Sequence, residues 1–312
     1  MTQKSPRFFF VFCFLITSSI KAQNDTLYVA RDGTGTYRNI SEAINAIKDT
    51  ADLPEVIFIK NGTYKEKVII PPHMQNIEFV GEDAEHTIIT YDDHARIKEM
   101  GTFLTFTLKV EGSNLIFRNL TIENNAAQLG QAVALHTEGN KLVFLNCRLL
   151  GNQDTIFTNT GGNKLYFYNC YIEGTTDFIF GPATVIFENC EIHSKKNSYI
   201  TAASTPENIQ FGYVFVNCTL TASPGIKKVY LGRPWRDFAA TTFLNCNLGK
   251  HILPEGWHNW KKPQREKTSR YSEYNNTGAG SDTSHRVSWS KQLTDYEASQ
   301  YTLENIFGKD KW

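Results

Sequence analysis

Leu142-Val-Phe144-Leu-Asn146-Cys147-Arg-Leu149-Leu-Gly-Asn-Gln153-Asp154 is followed, 23 positions on, by Leu165-Tyr-Phe167-Tyr-Asn169-Cys170-Tyr-Ile172-Glu-Gly-Thr-Thr-Asp177. The second stretch matches the first position by position in its apolar residues. Leu142 and Phe144, then Cys147 and Leu149, alternate with other residues, the period of a β-strand. The phase flips at the asparagine, because Phe144 and Cys147 must face the same way although an odd number of positions separates them. A bend at Asn146 accounts for the flip, since asparagine enters the left-handed region more easily than most residues.

Working outward, the phrase occurs six times: Phe117-Arg-Asn119-Leu120, Phe144-Leu-Asn146-Cys147, Phe167-Tyr-Asn169-Cys170, Phe187-Glu-Asn189-Cys190, Phe215-Val-Asn217-Cys218 and Phe243-Leu-Asn245-Cys246. The asparagines are 27, 23, 20, 28 and 28 residues apart, a period that denotes stacked units. An apolar residue stands two before the phenylalanine (Leu115, Leu142, Leu165, Val185, Tyr213, with Thr241 the weak case), and another two after the fourth residue (Ile122, Leu149, Ile172, Ile192, Leu220, Leu248). Two short strands joined at an Asn bend make one coil of a parallel β-helix. One coil cannot bury its apolar face alone, but a stack makes a continuous core, with inward ladders of Phe, Asn and Cys expected.

The ladders also explain the cysteines. Leaving aside Cys13, the five at 147, 170, 190, 218 and 246 are an odd number with no C-x-x-C and no nearby histidine. A complete disulfide framework or a zinc site is therefore not expected; these are buried small residues.

The chain has 312 residues, 41% of them hydrophobic, with 32 Lys plus Arg against 32 Asp plus Glu. That balance gives no long-range pull toward nucleic acid or an anionic membrane. Lys4 and Arg7 precede the apolar run Phe8 to Ile16, and Ala22 follows a polar stretch. This reads as a signal peptide over 1–22, too short for the roughly 20 residues of a membrane span. Residues 23–312 are then expected as one β-helical domain, secreted or periplasmic and monomeric. Ser41 to Ile47 has helical spacing and an N-cap candidate, suited to cover the open end of the stack. Beyond Cys246 the phrase stops; residues 254–312 are expected as a tail along the outside, helical near Thr294 to Ser299.

Asp154 and Asp177 each lie eight residues after their asparagine, so they occupy the same rung on consecutive coils, about 4.8 Å apart at the backbone. Two like charges that close do not both ionise readily; one pKa rises and one group keeps a proton. An acid then stands beside a nucleophile or base. Either aspartate alone would read as a turn cap; the shared register, with Gln153 and Thr155 beside the pair and Phe178-Ile179-Phe180 after it, points to chemistry. Gln131 and Gln153 are 22 residues apart, close to one coil. The chain has no G-x-S-x-G elbow, Walker loop, H-E-x-x-H or dinucleotide fingerprint, and neither metal nor cofactor is expected.

Five ordered phrases, Gly62-Thr-Tyr64-Lys-Glu66, Gln131-Ala-Val-Ala-Leu135, Gln153-Asp154-Thr155, Asp177-Phe-Ile-Phe-Gly181 and Leu231-Gly-Arg233-Pro-Trp235, resemble the pectin methylesterase (pectinesterase) family. The tail adds Gly256-Trp257, Trp260, Glu273-Tyr-Asn-Asn-Thr277, Trp289-Ser-Lys-Gln-Leu293 and Tyr301-Thr-Leu-Glu-Asn305, so the resemblance runs from Leu27 nearly to the end. It implies a right-handed parallel β-helix acting on methyl-esterified pectin. Asp177 would be the nucleophile and Asp154 the general acid, then base. Gln131 and Gln153 would donate to the oxyanion, and Arg233, which counting does not place, would hold Asp177. Trp235 and Phe180 would stack on sugar faces, with Thr155 and Tyr230 as further substrate contacts. His136 stands where the family often has arginine, which removes one polar contact.

The rivals are a polygalacturonase, a lyase, or an esterase or thioesterase of the same fold. Arg96-Ile97-Lys98 is similar to a polygalacturonase phrase but lacks its Asp-Asp and Gly-His-Gly partners, and a calcium-dependent lyase needs carboxylates where this chain has glutamines.

Overall fold

The computed structural model describes residues 26–48, 54–97 and 100–309; the expected signal peptide lies outside them. The chain winds as a right-handed parallel β-helix of three parallel sheets, with eleven, eight and seven strands among the described residues. One coil shows the plan: Leu142–Leu145 in the first sheet, Arg148–Leu150 in the second and Ile156–Thr158 in the third, before Lys164–Tyr168 re-enters the first. Pairing is in register, Leu142 on Leu165 and Phe144 on Phe167.

The lumen is a ladder of like on like. Phe79, Phe117, Phe144, Phe167, Phe187, Phe215 and Phe243 stack face to face with centroids 4.3–5.1 Å apart. All six corner asparagines adopt φ between 52° and 56°, the left-handed bend that returns both flanking strands inward. Their side chains, however, do not form an inward ladder. Asn146, Asn169, Asn189, Asn217 and Asn245 are exposed, and Asn169 donates its amide to Asn146 Oδ1 at 2.7 Å outside the helix. The bend that turns the next residue inward turns the asparagine outward, which spares the lumen a row of amides it could not satisfy.

The five cysteines are free and buried. Each thiol lies 3.3–3.5 Å from the carbonyl of the core phenylalanine one coil earlier: Cys147 on Phe117, Cys170 on Phe144, Cys190 on Phe167, Cys218 on Phe187 and Cys246 on Phe215. A small residue with a weak S–H donor fits a lumen position that faces a carbonyl.

At the N-terminal end the helix Ile40–Ala46 buries Ile40, Ala43 and Ile44. It starts one residue before the expected segment, because Asn39 and Glu42 form the capping box. Its first free amides, Ile40 and Ser41, donate to the Glu66 carboxylate at 2.9 Å. At the other end the phrase stops but the winding does not. Arg270–Tyr274 pairs with Ala240–Leu244 and turns at Asn275, φ 47°. Glu273 takes the register of Phe243 and, 1% exposed, pairs with Arg286 at 2.8 Å and accepts from Trp257 Nε1 at 3.2 Å. This satisfied charge pair closes the apolar column. The short helices Asp295–Ala298 and Leu303–Phe307 belong to the tail; Ile306 and Phe307 pack on Ile186, Val214 and Leu244, outside the first sheet.

Candidate active site

In the third sheet, Leu135, Ile156 and Ile179 share one register row and face the lumen, while their neighbours His136, Phe157 and Phe180 form the outer row. The turn before each of the two later strands carries an aspartate in the left-handed region, Asp154 at φ 67° and Asp177 at φ 50°. Such a backbone costs on the order of 1 kcal/mol for a residue with a Cβ, and here it turns two carboxyls out of the stack and into one cleft. The rungs are fixed by Asp154 N–H to Thr176 O at 3.1 Å, Asp177 N–H to Tyr199 O at 2.9 Å, and Ala132 N–H to Gln153 O at 3.0 Å. The last belongs to a bridge that stacks Gln131 on Gln153.

Gln131, Gln153, Asp154, Asp177, Arg233 and Trp235 line a single open cleft of about 200 Å³. Arg233 arrives from the strand Tyr230–Gly232, which pairs with Tyr199–Ala203, and its amide donates to Thr201 O at 2.9 Å. A Cβ at Gly232 would stand 2.0 Å from Thr201 Oγ1, so glycine allows the approach that brings Arg233 in. The guanidinium grips Asp177 with both arms, Nε to Oδ1 at 2.9 Å and Nη2 to Oδ2 at 2.6 Å. It is also held between two rings, 3.9 Å from the Tyr199 centroid and 3.6 Å from that of Trp260. Aromatic faces stabilise a cation and fix its plane.

The two carboxyls are unequal. Burial pushes Asp154 well above the ordinary carboxylate range, the negative charge of Asp177 pushes it further, and Arg233 and the Gln153 amide offset this only in part. Burial also raises Asp177, but the Arg233 hydrogen bonds and charge oppose it directly. Asp154 is therefore the member that holds a proton more tightly, and Asp177, clamped by Arg233, is the one that gives its proton up first.

Other expected contacts fall elsewhere. Thr155 is fully buried and donates to Asn152 O at 3.2 Å and Glu173 O at 3.0 Å; it supports the turn and is closed to a ligand. Tyr230 stacks on Tyr199 at 5.3 Å, behind the clamp and away from the cleft lining. Phe180 lines the cleft and is at the same time packed, stacked on Phe157 at 4.7 Å and edge-on to Trp235 at 5.8 Å. His136 is buried against Phe157, its pKa pushed down to about 4 by burial, and lines the adjoining groove with Lys109 and Arg236.

Sequence reasoning missed Tyr199 and Trp260 as the jaws of the clamp. Counting eight from Asn189 lands on Asn197, two short of Tyr199, because that coil has a longer second turn. The aligned register of Ile179 with Thr201 removes the discrepancy.

Fold and site together define a class: a parallel β-helix with an arginine-clamped aspartate pair and two glutamines on one flank. The pectinesterase family model matches residues 26–310, and the chain belongs to that family. It is 36% identical over 299 residues to probable pectinesterase/pectinesterase inhibitor 23 of Arabidopsis thaliana, covering 91% of this chain and 52% of the relative. With pectinesterase 31 of the same plant the identity is 37% over 284 residues, covering 88% and 89%. The solved pectin methylesterase from carrot superposes with a TM-score of 0.85 at 34% identity, covering 90% of this chain and 93% of that one. The chain spans about half the length of the first curated relatives it matches.

Proposed function

We propose that this protein hydrolyses the methyl esters of galacturonate units in pectin, releasing methanol and leaving pectate. The observation that carries the reading is the asymmetry of the pair: Arg233 holds Asp177 with both arms, while burial and the neighbouring charge push Asp154 well above the ordinary carboxylate range. Asp177 attacks the ester carbonyl, and the negative oxygen that forms accepts from the amides of Gln131 and Gln153. The intermediate collapses with Asp154 passing its proton to the departing methoxy oxygen, so methanol leaves and an acyl-aspartate remains. Asp154, now a carboxylate, takes a proton from water as that water attacks the acyl carbon. Asp177 is released, and the sugar carries a free carboxylate.

Trp235 and Phe180 supply apolar walls on which a sugar face can rest. The polymer is inferred from family membership, and secretion from residues 1–22; among the described residues no helix is long and apolar enough to cross a membrane. Residues 23–312 act as one catalytic unit and a monomer, which sedimentation of the mature protein tests. The decisive assay is methanol release from highly esterified pectin. Chain shortening or new unsaturated ends without methanol would assign the site to glycoside hydrolysis or elimination instead.

A further inference from the structure

The row of turns that carries Asp154 and Asp177 continues past the clamp, and there its chemistry changes. Asp177 stacks on Tyr199 through its N–H to the Tyr199 carbonyl, and Tyr199 pairs with Tyr230 on the next coil. Three residues before Tyr199 stands Lys196, and three before Tyr230 stands Lys227. The bridge of Val229 to Ile252 carries the register one coil further, where Lys250, two residues before Ile252, is level with Lys227. Lys228 adjoins the row. The Asn197 side chain ties two of these turns together by accepting the backbone N–H groups of Lys227 and Lys228 at 2.9 Å. Consecutive coils thus present lysine on one rung after another, about 4.8 Å apart at the backbone.

These cations are unpaired. All four side chains are exposed, and among the described residues none of their ammonium groups enters an ion pair or a hydrogen bond. Neighbouring Lys195, by contrast, is bound to Glu173 at 2.7 Å. The whole chain balances 32 basic against 32 acidic residues, so the row is a local excess and not the overflow of a basic composition. Like charges on neighbouring rungs repel, and an extended anion lying along the helix axis meets all of them at once. A ring surface lies beside them: Tyr230, half-buried, is stacked on Tyr199 at 5.3 Å and lies 5.3 Å from His258. Ring faces suit the C–H side of a sugar, and free ammonium groups suit its carboxylates.

We propose that Lys196, Lys227, Lys228 and Lys250, with the Tyr230 and His258 rings beside them, form a second binding surface that takes anionic polysaccharide and holds the de-esterified part of the polymer on the coils next to the cleft. The identity of the saccharide rests on the function proposed above. Tethering at a second point raises the effective concentration of the remaining ester units at the cleft without adding a contact there.

The test compares retention on immobilised polygalacturonate of the full chain and of a triple variant, Lys196→Gln, Lys227→Gln and Lys250→Gln. Retention of the variant should be about tenfold weaker at low salt, the loss of a modest multivalent contact, and should depend less on salt than that of the parent. A control that removes three exposed lysines elsewhere, Lys48→Gln, Lys65→Gln and Lys309→Gln, loses the same net charge and should be retained like the parent. Fully esterified pectin, which brings no carboxylate, should be bound alike by all three proteins. In turnover the triple variant should show a raised KM for partly de-esterified pectin, with the parent's KM for a fully esterified trimer. Equal loss of retention in the triple variant and the control, or none in either, would overturn the surface, as would capture by anionic phospholipid vesicles without retention on polygalacturonate. Absence of methanol release with row-dependent retention intact would instead overturn the esterase reading and leave the surface standing.

Discussion

Two rows of side chains run along this helix on the same coil-to-coil register, one in the lumen and one on the flank. Inside, repetition places Phe144 on Phe167 and Cys147 beside Cys170, and each copy stabilises the next by stacking and exclusion of water. On the flank it places Asp154 beside Asp177, and the charge of Asp177 makes Asp154 harder to ionise. One geometric rule thus yields a stabilising stack in the lumen and a strained carboxyl on the flank. The strain is relieved chiefly by a residue outside the repeated phrase, Arg233, which pairs with Asp177 and, with the Gln153 amide, offsets part of the upward shift of Asp154.

The comparison breaks most sharply at Asp177. Asp177→Asn keeps the shape but removes both the proposed nucleophile and the carboxylate that Arg233 grips. Methanol release should fall more than about 10⁴-fold in kcat, as when a nucleophile is deleted, with the far-ultraviolet spectrum of the fold intact. Substantial residual turnover would assign the nucleophile to another group.

Asp154→Asn should cost about 10²–10⁴-fold, the usual range for a general acid, and should remove the alkaline limb of the kcat/KM profile that deprotonation of Asp154 produces in the parent. The same change should act oppositely on stability. Because the folded state raises the pKa of Asp154, the native protein holds that proton more tightly than the unfolded chain; the contribution is present in full below the ordinary carboxylate pKa and is lost as pH rises toward the raised value. The neutral amide suffers no such loss, so Asp154→Asn should match the parent near pH 3 and exceed it near pH 7 in chemical unfolding. A variant less stable than the parent at neutral pH would mean that the pair is not strained.

The lumen row should behave in the reverse way. Phe167→Ala removes one ring from the stack, and a cavity of that kind costs about 3–5 kcal/mol, read in urea unfolding, while kcat per folded molecule stays near the parent. Arg233→Lys should cost about 10²-fold, since lysine keeps the charge but loses the two-armed grip and the stacking between Tyr199 and Trp260. A milder loss, with salt dependence and no change in pH profile, would make the clamp a simple point charge.

The lumen was legible in the sequence because register there is written in side-chain type: Phe, Asn and Cys recur at one spacing whatever the loops do. The aspartate pair was legible for the same reason, being anchored to Asn146 and Asn169. The misreadings came where type and register part. Glu273 occupies a phenylalanine rung and hides one more coil. Tyr199 is shifted two residues by a longer turn, and Trp260 follows the Gly232–Trp257 bridge of the last coil, where the Phe-x-Asn-Cys phrase no longer marks register. Thr155 was misread because a polar residue beside a cleft aspartate can equally well serve the turn, and its hydroxyl is already engaged by the carbonyls of Asn152 and Glu173.

The smallest effect separates backbone from side chain at the corners themselves. Asn169 sits at φ 52°, exposed, with its amide on Asn146 Oδ1. If the corner is chosen for its backbone, Asn169→Ala should destabilise by about 1 kcal/mol, the penalty of a Cβ in the left-handed region. Asn169→Gly, which visits that region freely, should then cost less despite losing the same hydrogen bond. If instead the outer amide ladder is what matters, both substitutions remove it alike and should cost the same. The corner joins the first and second sheets while the cleft lies on the third, so neither variant should change kcat, and the difference between the two unfolding midpoints measures what the left-handed bend alone contributes.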